Sequence, residues 1–422
     1  MFHPETGGTL SVLETIRTGD FVNAARIRRI ALILGSLYLA AIALLLATAD
    51  GALDYAGRPL GTDFSGVYAA GQLVLEGEAA SALDPAVHLA KQQQRFGDEV
   101  PLYGWHYPPF FLFIAAAVAV LPYAAAYIAW QAATLPAYLH VVSKIFPERG
   151  ALLAAAAFPA AFINITHGQN GFLTAALFGG AMILLDRRPL LAGVLIGLLA
   201  YKPQFGFLIP VVLIATARWR VFAAAAATVA ALVLASTLAF GAEIWPAFLD
   251  NMRFTNSAIV EGGGPGWAKM QSLYAALRAV GVGLDLAFAA QGALALAVAA
   301  ALITIWRSHA APETKKAALI VGSLLSTPYL LDYDFLALAP AIAFIAAAGR
   351  KSDFLPYEKA ALAFAALAPL AARQIAMAAF IPIGFLSLAA FAAVIFARAR
   401  AEAALGAITD LPDSVAPAAA SS

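Results

Sequence analysis

The sequence contains no cysteine, which excludes disulfides, thiol nucleophiles and zinc–thiolate sites. Charged residues are scarce, at 12% of the chain, whereas they make up about a quarter of soluble domains. Neither a GxxxxGKS/T phosphate-binding loop nor a GxGxxG before a helix is present, so nucleotide-driven transport is disfavoured. The net charge is +1 and no basic patch lies beside stacking aromatics, so nucleic acid is not an expected partner. No residue pattern requires a metal or another cofactor.

Hydrophobic residues make up 62% of the chain and come in blocks separated by short polar segments. A soluble core could not bury this much apolar surface, so lipid must surround most of it. The blocks do not alternate between apolar and polar residues as the strands of a membrane barrel do. Because only helices and closed barrels satisfy their backbone hydrogen bonds in hydrocarbon, we predict an all-α, polytopic transmembrane bundle.

The N-terminal part sets the predicted topology. Residues 1–29 form a basic tail, and the apolar run Ala31–Thr48 behind it has no small-residue cleavage site, so it is expected to remain as a signal anchor. The positive-inside rule places the tail in the cytoplasm. Residues 50–107 then form a long first outer loop, with short helices predicted at Ser65–Glu76 and Pro85–Phe96.

Later basic segments follow apolar runs, so they are expected in the cytoplasm and the polar segments between them outside. Some apolar runs are short, which is typical of helices that cross only part of the membrane. We treat Pro108–Leu121 as a partial or re-entrant element. This gives about 12 spans within a membrane domain at 30–400, with both ends inside. Residues 401–422 are rich in Ala, Ser and Pro and are predicted to be a disordered tail.

Asp63 stands just beyond the first span, before a predicted helix. An aspartate in that position is often only a helix N-cap, and the sequence leaves this interpretation open beside a functional one. In the functional interpretation Asp63 is a general base, because a carboxylate can take the proton from a hydroxyl that attacks an electrophilic carbon. A loop held against the membrane surface suits that role.

Polar residues also gather where the chain re-enters the membrane. His106 and Tyr107 precede two prolines. Trp105 and Tyr107 could belong to the interfacial aromatic belt, and His106 could titrate or bind phosphate. His167, Gln169 and Asn170 lie between two short spans. A plain turn would explain the neighbouring glycines, but three strong hydrogen-bonding side chains favour the lining of a polar cavity.

Two further outer segments carry charge. Lys202 and Gln204 follow the outer end of a span, where a lysine could snorkel or could neutralise a phosphate leaving group. Arg253 lies in the loop Gly241–Lys269, which could be a lid or an ordinary connection, and it is another candidate phosphate ligand.

Asp332 and Asp334 form a third charged segment. They could hold a metal or sugar hydroxyls, or lie in a solvated loop, and the sequence does not separate these alternatives.

The order of these motifs resembles glycosyltransferase family 87, whose members are integral membrane enzymes of the GT-C fold. The resemblance covers roughly residues 30–350. It is carried by the spacing of short motifs, which are Asp63-Phe64 with Tyr68 to Gly71, Tyr107-Pro108-Pro109, Gly168-Gln169-Asn170-Gly171 and Lys202-Pro203-Gln204.

The resemblance implies a transmembrane bundle of the GT-C type with a long helical first periplasmic loop. It implies that Asp63 is the catalytic base of an inverting, single-displacement transfer. The donor would be a polyprenyl-phosphate sugar, mannose by default, whose phosphate meets Lys202 or an arginine. The acceptor would be a lipid or a glycan, and the enzyme would lie in the cell inner membrane with its site on the periplasmic side. The late outer loop, Thr327 to Asp334, lacks the family's Ser-Pro, Trp and His, which leaves acceptor and sugar open.

Two other classes remain as alternatives. A transporter or glycolipid flippase would be expected to show internal repeats and charges near the middle of the membrane, whereas the polar residues gather toward one face and no repeat is visible. A non-catalytic membrane scaffold would not need so many polar groups at one face.

Overall fold

The computed structural model describes residues 11–409, and this part of the chain is helical, with three isolated β-bridges and no strand. From the N-terminus the α-helices are α1 Val12–Thr18, α2 Ala24–Ala47, α3 Thr62–Leu75, α4 Pro85–Phe96, α5 Leu112–Ala119, α6 Tyr123–Ile145, α7 Arg149–Ala156, α8 Pro159–His167, α9 Gly171–Leu184, α10 Pro189–Leu198 and α11 Pro203–Gly206. They continue with α12 Leu208–Ala215, α13 Trp219–Phe240, α14 Ile244–Thr255, α15 Leu273–Ala279, α16 Leu284–Arg307, α17 Pro312–Ser326, α18 Leu338–Ser352, α19 Glu358–Leu367, α20 Ala372–Ala379 and α21 Ile383–Thr409.

Several helices are long and apolar enough to cross a membrane. Within the described residues 5 helices meet this criterion by length and composition. The number rises to 8 if each pair of helices joined by a sharp bend is counted as one span, and shorter apolar helices are also present. The chain is therefore a polytopic helical membrane protein. The predicted number of about 12 spans is not confirmed by these lengths. The segments Pro109–Ala119 and Tyr123–Ile145 meet at 118°, which fits the partial or re-entrant element predicted at Pro108–Leu121.

Helix α1 and the start of α2 fall within the N-terminal tail 1–29, for which the sequence predicted charge and side of the membrane but no backbone conformation. The predicted C-terminal tail differs from the structure at its inner end. Helix α21 continues through Thr409, so residues 401–409 are helical, contrary to the prediction of a disordered tail that begins at 401. The remainder of that predicted tail, 410–422, lies outside the described residues.

The segment 50–107, predicted to be the first outer loop, contains two α-helices that local signals explain. Asp84 caps α4, since its carboxylate accepts from the backbone N–H groups of Ala86 and Val87, and a proline occupies the first turn. Helix α3 packs closely on α5 at Gly71, where a Cβ would lie 2.0 Å from the carbonyl oxygen of Ala115. Glycine allows this close approach, and the contact fixes α3 against the membrane-embedded helices.

Helix α9 is the central buried element, and its N-terminus supports the polar cavity. Nearly every residue from Gly171 to Met182 is buried. At Gly171 a Cβ would lie 3.0 Å from the carbonyl oxygen of Tyr333, in the 3₁₀-helix Asp332–Ala337. The turn before α9 and the late acidic segment are therefore neighbours in space, although they are far apart in the sequence.

Candidate active site

The polar segments surround a cavity of about 370 Å³. It lies between the end of the first outer loop, the turn before α9, the turn after α10, the segment Asn256–Lys269 and the segment before α18. Its polar and aromatic wall residues are Asp63, Tyr103, His106, Tyr107, Gln169, Tyr201, Lys202, Gln204, Phe254, Lys269, Tyr329, Tyr333 and Asp334. Seven of the residues predicted for the site are among them: Asp63, His106, Tyr107, Gln169, Lys202, Gln204 and Asp334.

Asp63 lies in the first turn of α3 and is not its N-cap. The N-cap is Gly61, in a left-handed conformation at φ 74°, so the interpretation of Asp63 as a cap is wrong. The Asp63 carboxylate instead points to the cavity, where Oδ2 accepts a hydrogen bond of 2.8 Å from Nε2 of Gln169. Nζ of Lys269 lies 3.7 Å from the same oxygen. The side chain of Asp63 is 19% exposed and that of Lys269 is 16% exposed.

The charge state of Asp63 follows from these neighbours. Burial raises the pKa of its carboxyl, but the positive charge of Lys269, the field of His167 and the hydrogen bond from Gln169 act in the opposite direction. The net effect holds the pKa of Asp63 below its ordinary value of 3.8. Asp63 is therefore ionised at neutral pH and can accept a proton.

Gln169 is held on both sides of its amide. It donates to Asp63, and its Oε1 accepts a hydrogen bond of 3.2 Å from the hydroxyl of Tyr107. The turn reaches Asp63 because Gly168 adopts φ 62° and a Cβ there would lie 2.5 Å from Cβ of Phe64. A larger residue would push the turn away from α3. The glycine thus explains how Gln169 reaches Asp63.

Lys202 lies on the cavity wall but has a partner within the protein. Its Nζ is 2.5 Å from Oδ1 of Asp334, and the two side chains are 4% and 1% exposed. Asp334 also accepts from the backbone N–H of Leu331 at 3.0 Å. The charge of Lys202 is therefore neutralised by Asp334, which weakens the prediction that Lys202 meets a phosphate.

His106 is a neutral hydrogen-bonding group in this structure. Burial lowers its pKa from 6.5 to about 4, so it carries no charge at neutral pH. Its Nδ1 lies 2.9 Å from Oγ1 of Thr255, and nearby Asn251 donates to the carbonyl oxygen of Trp105 at 2.7 Å. These bonds attach α14 to the end of the first outer loop, and they do not support His106 as a phosphate-binding cation.

Four predicted site residues lie outside the cavity wall. His167 bonds to the carbonyl oxygen of Ile163 at 2.9 Å, and Asn170 is buried behind the wall, where its carbonyl oxygen accepts from Tyr201. Asp332 is buried in an ion pair with a partly exposed arginine, Arg373. Arg253 is 79% exposed and pairs with Asp250, three residues earlier on α14.

The sequence analysis missed Lys269, which ends the 3₁₀-helix Trp267–Lys269. A lysine in a predicted outer segment breaks the positive-inside pattern in the same way as Lys202, and this signal could have identified it. The preceding segment Asn256–Glu261 is a π-helix, a conformation that is frequent at functional sites. Tyrosines 103, 201, 329 and 333 were also missed, because single tyrosines near a membrane surface are common.

Comparison with known proteins identifies one family. The family model described as glycosyltransferase family 87 matches residues 105–331, which is more than half of the chain. A search of curated proteins and a search of solved structures each found no match. Residues 105–331 include much of the cavity wall, from His106 to Tyr329.

Proposed function

This chain belongs to glycosyltransferase family 87, and from that membership we propose that it transfers a hexose from a polyprenyl-phosphate sugar to a lipid-linked or glycan acceptor. Mannose is the default sugar, as the family resemblance implies. The observation that carries the proposal is the Asp63 carboxylate, held by a hydrogen bond from Gln169 on the wall of a cavity that suits a sugar.

In the proposed reaction the acceptor hydroxyl oxygen attacks the anomeric carbon of the donor. Asp63 takes the hydroxyl proton as the new carbon–oxygen bond forms. The bond between the anomeric carbon and the phosphate oxygen breaks, and polyprenyl phosphate leaves with the electron pair. A single displacement of this kind inverts the anomeric carbon. Lys269 and the neutral His106 are further cavity groups that could contact the donor or the acceptor.

The cavity wall has the composition expected for a sugar. Tyrosine rings supply apolar faces and hydroxyl groups, and the amides of Gln169 and Gln204 supply both donors and acceptors. The lipid tail of the donor would lie among the apolar helices. We place the site on the periplasmic side of the cell inner membrane, in a domain at 30–400 with about 12 spans, because the polar segments alternate with basic ones along the chain.

The experiment uses purified protein with a panel of polyprenyl-phosphate sugars and reads the transferred mass. The variant Asp63→Asn should lower the transfer rate by about 100- to 10,000-fold. Its amide oxygen can still accept from Gln169, so folding should be retained. The matched control is Asp98→Asn, at an exposed aspartate of the first outer loop, which should transfer normally. Full activity of Asp63→Asn would remove this residue from the mechanism.

A further inference from the structure

Two lysines among the described residues line the cavity, and they are held very differently. Lys202 lies 2.5 Å from Asp334, and both side chains are almost fully buried. Lys269 lies 3.7 Å from Asp63, and both side chains are partly open to the cavity. A separation of 3.7 Å is longer than a charge-assisted hydrogen bond. The ammonium of Lys269 therefore remains available to a stronger acceptor.

The charges on the cavity wall balance before any anion binds, because Lys202 is offset by Asp334 and Lys269 by Asp63. Outside the wall, Arg373 is offset by Asp332 in the same way. A phosphate that enters this partly desolvated space adds negative charge and needs a cation. The pair of Lys202 and Asp334 is costly to open because it is buried and short. The looser Lys269 is the cation that can turn toward the phosphate.

We propose that Lys269 exchanges anions during the reaction: it pairs with Asp63 before the donor binds, and it turns to the donor monophosphate when the donor enters. This inference rests on the proposed function. Asp63 then loses its cation at the moment when an acceptor proton must be accepted, while the phosphate gains the charge that stabilises it as a leaving group. The exchange makes and breaks no covalent bond.

The surroundings of Asp63 allow the exchange without loss of its position. Gln169 donates to Asp63 at 2.8 Å and does not depend on Lys269. The ring of Tyr333 lies 5.7 Å from Nζ of Lys269 and provides an aromatic face along which the ammonium can turn. With Lys269 gone, the groups left around the carboxylate are Gln169, His167 and the neutral His106, so its affinity for a proton rises.

The backbone around Lys269 combines a fixed and a deformable part. After Lys269 the chain is anchored, because the backbone N–H of Gln271 donates to the carbonyl oxygen of Leu330 at 2.7 Å. Before it, Gly263 and Gly266 adopt positive φ angles of 67° and 87°. Glycines in this region tolerate changes of backbone angle. The lysine can therefore move while its attachment to the late segment is kept.

The first test measures binding of farnesyl phosphate, with farnesol as the uncharged probe. Lys269→Met should weaken farnesyl phosphate binding by roughly 10- to 100-fold and leave farnesol binding unchanged. Lys269→Arg keeps the charge and should bind within a few-fold of wild type. The control is Lys91→Met on α4, whose lysine pairs with Glu76 away from the cavity and should bind normally. Equal affinity of Lys269→Met and wild type for farnesyl phosphate would overturn the inference. If Lys269→Met does not fold, Lys269→Gln takes its place.

The second test asks whether Asp63 and the phosphate compete for the same lysine. Asp63→Asn removes the resting partner of Lys269, so it should bind farnesyl phosphate several-fold more tightly than wild type while transferring almost no sugar. In the Lys269→Met background, Asp63→Asn should increase the affinity for farnesyl phosphate much less. An equal increase in affinity in both backgrounds would show that Asp63 acts only by repelling the phosphate, and the exchange would be refuted.

The two proposals can fail separately. If wild type transfers sugar and Asp63→Asn does not, while Lys269→Met binds farnesyl phosphate like wild type, the exchange is wrong and the enzyme assignment stands. If farnesyl phosphate binds through Lys269 but wild type transfers no sugar from any donor in the panel, the anion site stands. The proposed function then fails, and the role of the exchange in the reaction fails with it.

Discussion

The buried pair of Lys202 and Asp334 gives the sharpest test of how the cavity is built. In Lys202→Met the Asp334 carboxylate stays buried and keeps only the backbone N–H of Leu331 as a donor. Removing one partner of a buried ion pair costs about 3–5 kcal/mol, because the remaining charge is uncompensated. The short contact of 2.5 Å and the near-complete burial of both side chains place this pair in that range.

The double variant Lys202→Met with Asp334→Asn should recover most of the lost stability. The carboxylate charge is then removed, while an amide oxygen can still accept from Leu331. Chemical denaturation in mixed micelles measures the free energy of unfolding of each variant. The control is Arg253→Met, whose side chain forms an exposed pair with Asp250, where the loss should be under about 1 kcal/mol. An unchanged free energy of unfolding in Lys202→Met, together with much weaker binding of farnesyl phosphate, would show that Lys202 is a phosphate ligand and not the partner of Asp334.

Three other outcomes are expected. Burial raises the pKa of Asp63, but in the donor-free enzyme the positive charge of Lys269 holds it below 3.8. Transfer rates at donor concentrations far below KM report the free enzyme, so they should stay level from neutral pH to about pH 5 and fall only as the carboxylate becomes protonated; a rate already halved near pH 6 under these conditions would argue against this base. Gly71→Ala puts a Cβ 2.0 Å from the carbonyl oxygen of Ala115 and should cost about 1–3 kcal/mol of unfolding free energy, whereas Gly292→Ala, which meets open space, should not destabilise. Arg253→Ala should change the affinity for farnesyl phosphate by less than about twofold, because this exposed side chain lies outside the cavity. A tenfold loss of affinity would show that Arg253 contacts the phosphate.

Local signals in the sequence predicted the helices of the first outer loop well. Helix α4 has the predicted bounds, Pro85–Phe96, because Asp84 and Pro85 are both strong start signals. Helix α3 begins at Thr62, earlier than the predicted Ser65. It begins after a glycine in a left-handed conformation, which sequence patterns indicate less clearly than a side-chain cap. Because the helix begins earlier than predicted, Asp63 lies in its first turn and does not cap it, and its carboxylate faces the cavity.

The membrane pattern predicted part of the site, since Asp63, Gln169 and Lys202 were each assigned to the outer face and all line one cavity. The pairing of Lys202 with Asp334 was not predictable, because 132 residues separate them and no local pattern links them. Lys269 was missed because it follows an irregular segment without a hydrophobic period, although a lysine in a predicted outer segment departs from the positive-inside pattern.

The sequence by itself determined that the protein resides in a membrane, that it is helical, and that its polar segments could gather at one face. These properties depend on hydrophobicity and periodicity, which are read along the chain. Only the tertiary structure decided which cation meets which carboxylate, because Coulomb energy depends on distances of a few ångströms that helix packing sets. Lys202 therefore forms a short, buried ion pair with Asp334 at 2.5 Å, whereas Lys269 lies 3.7 Å from Asp63 in a pair that is partly open to the cavity.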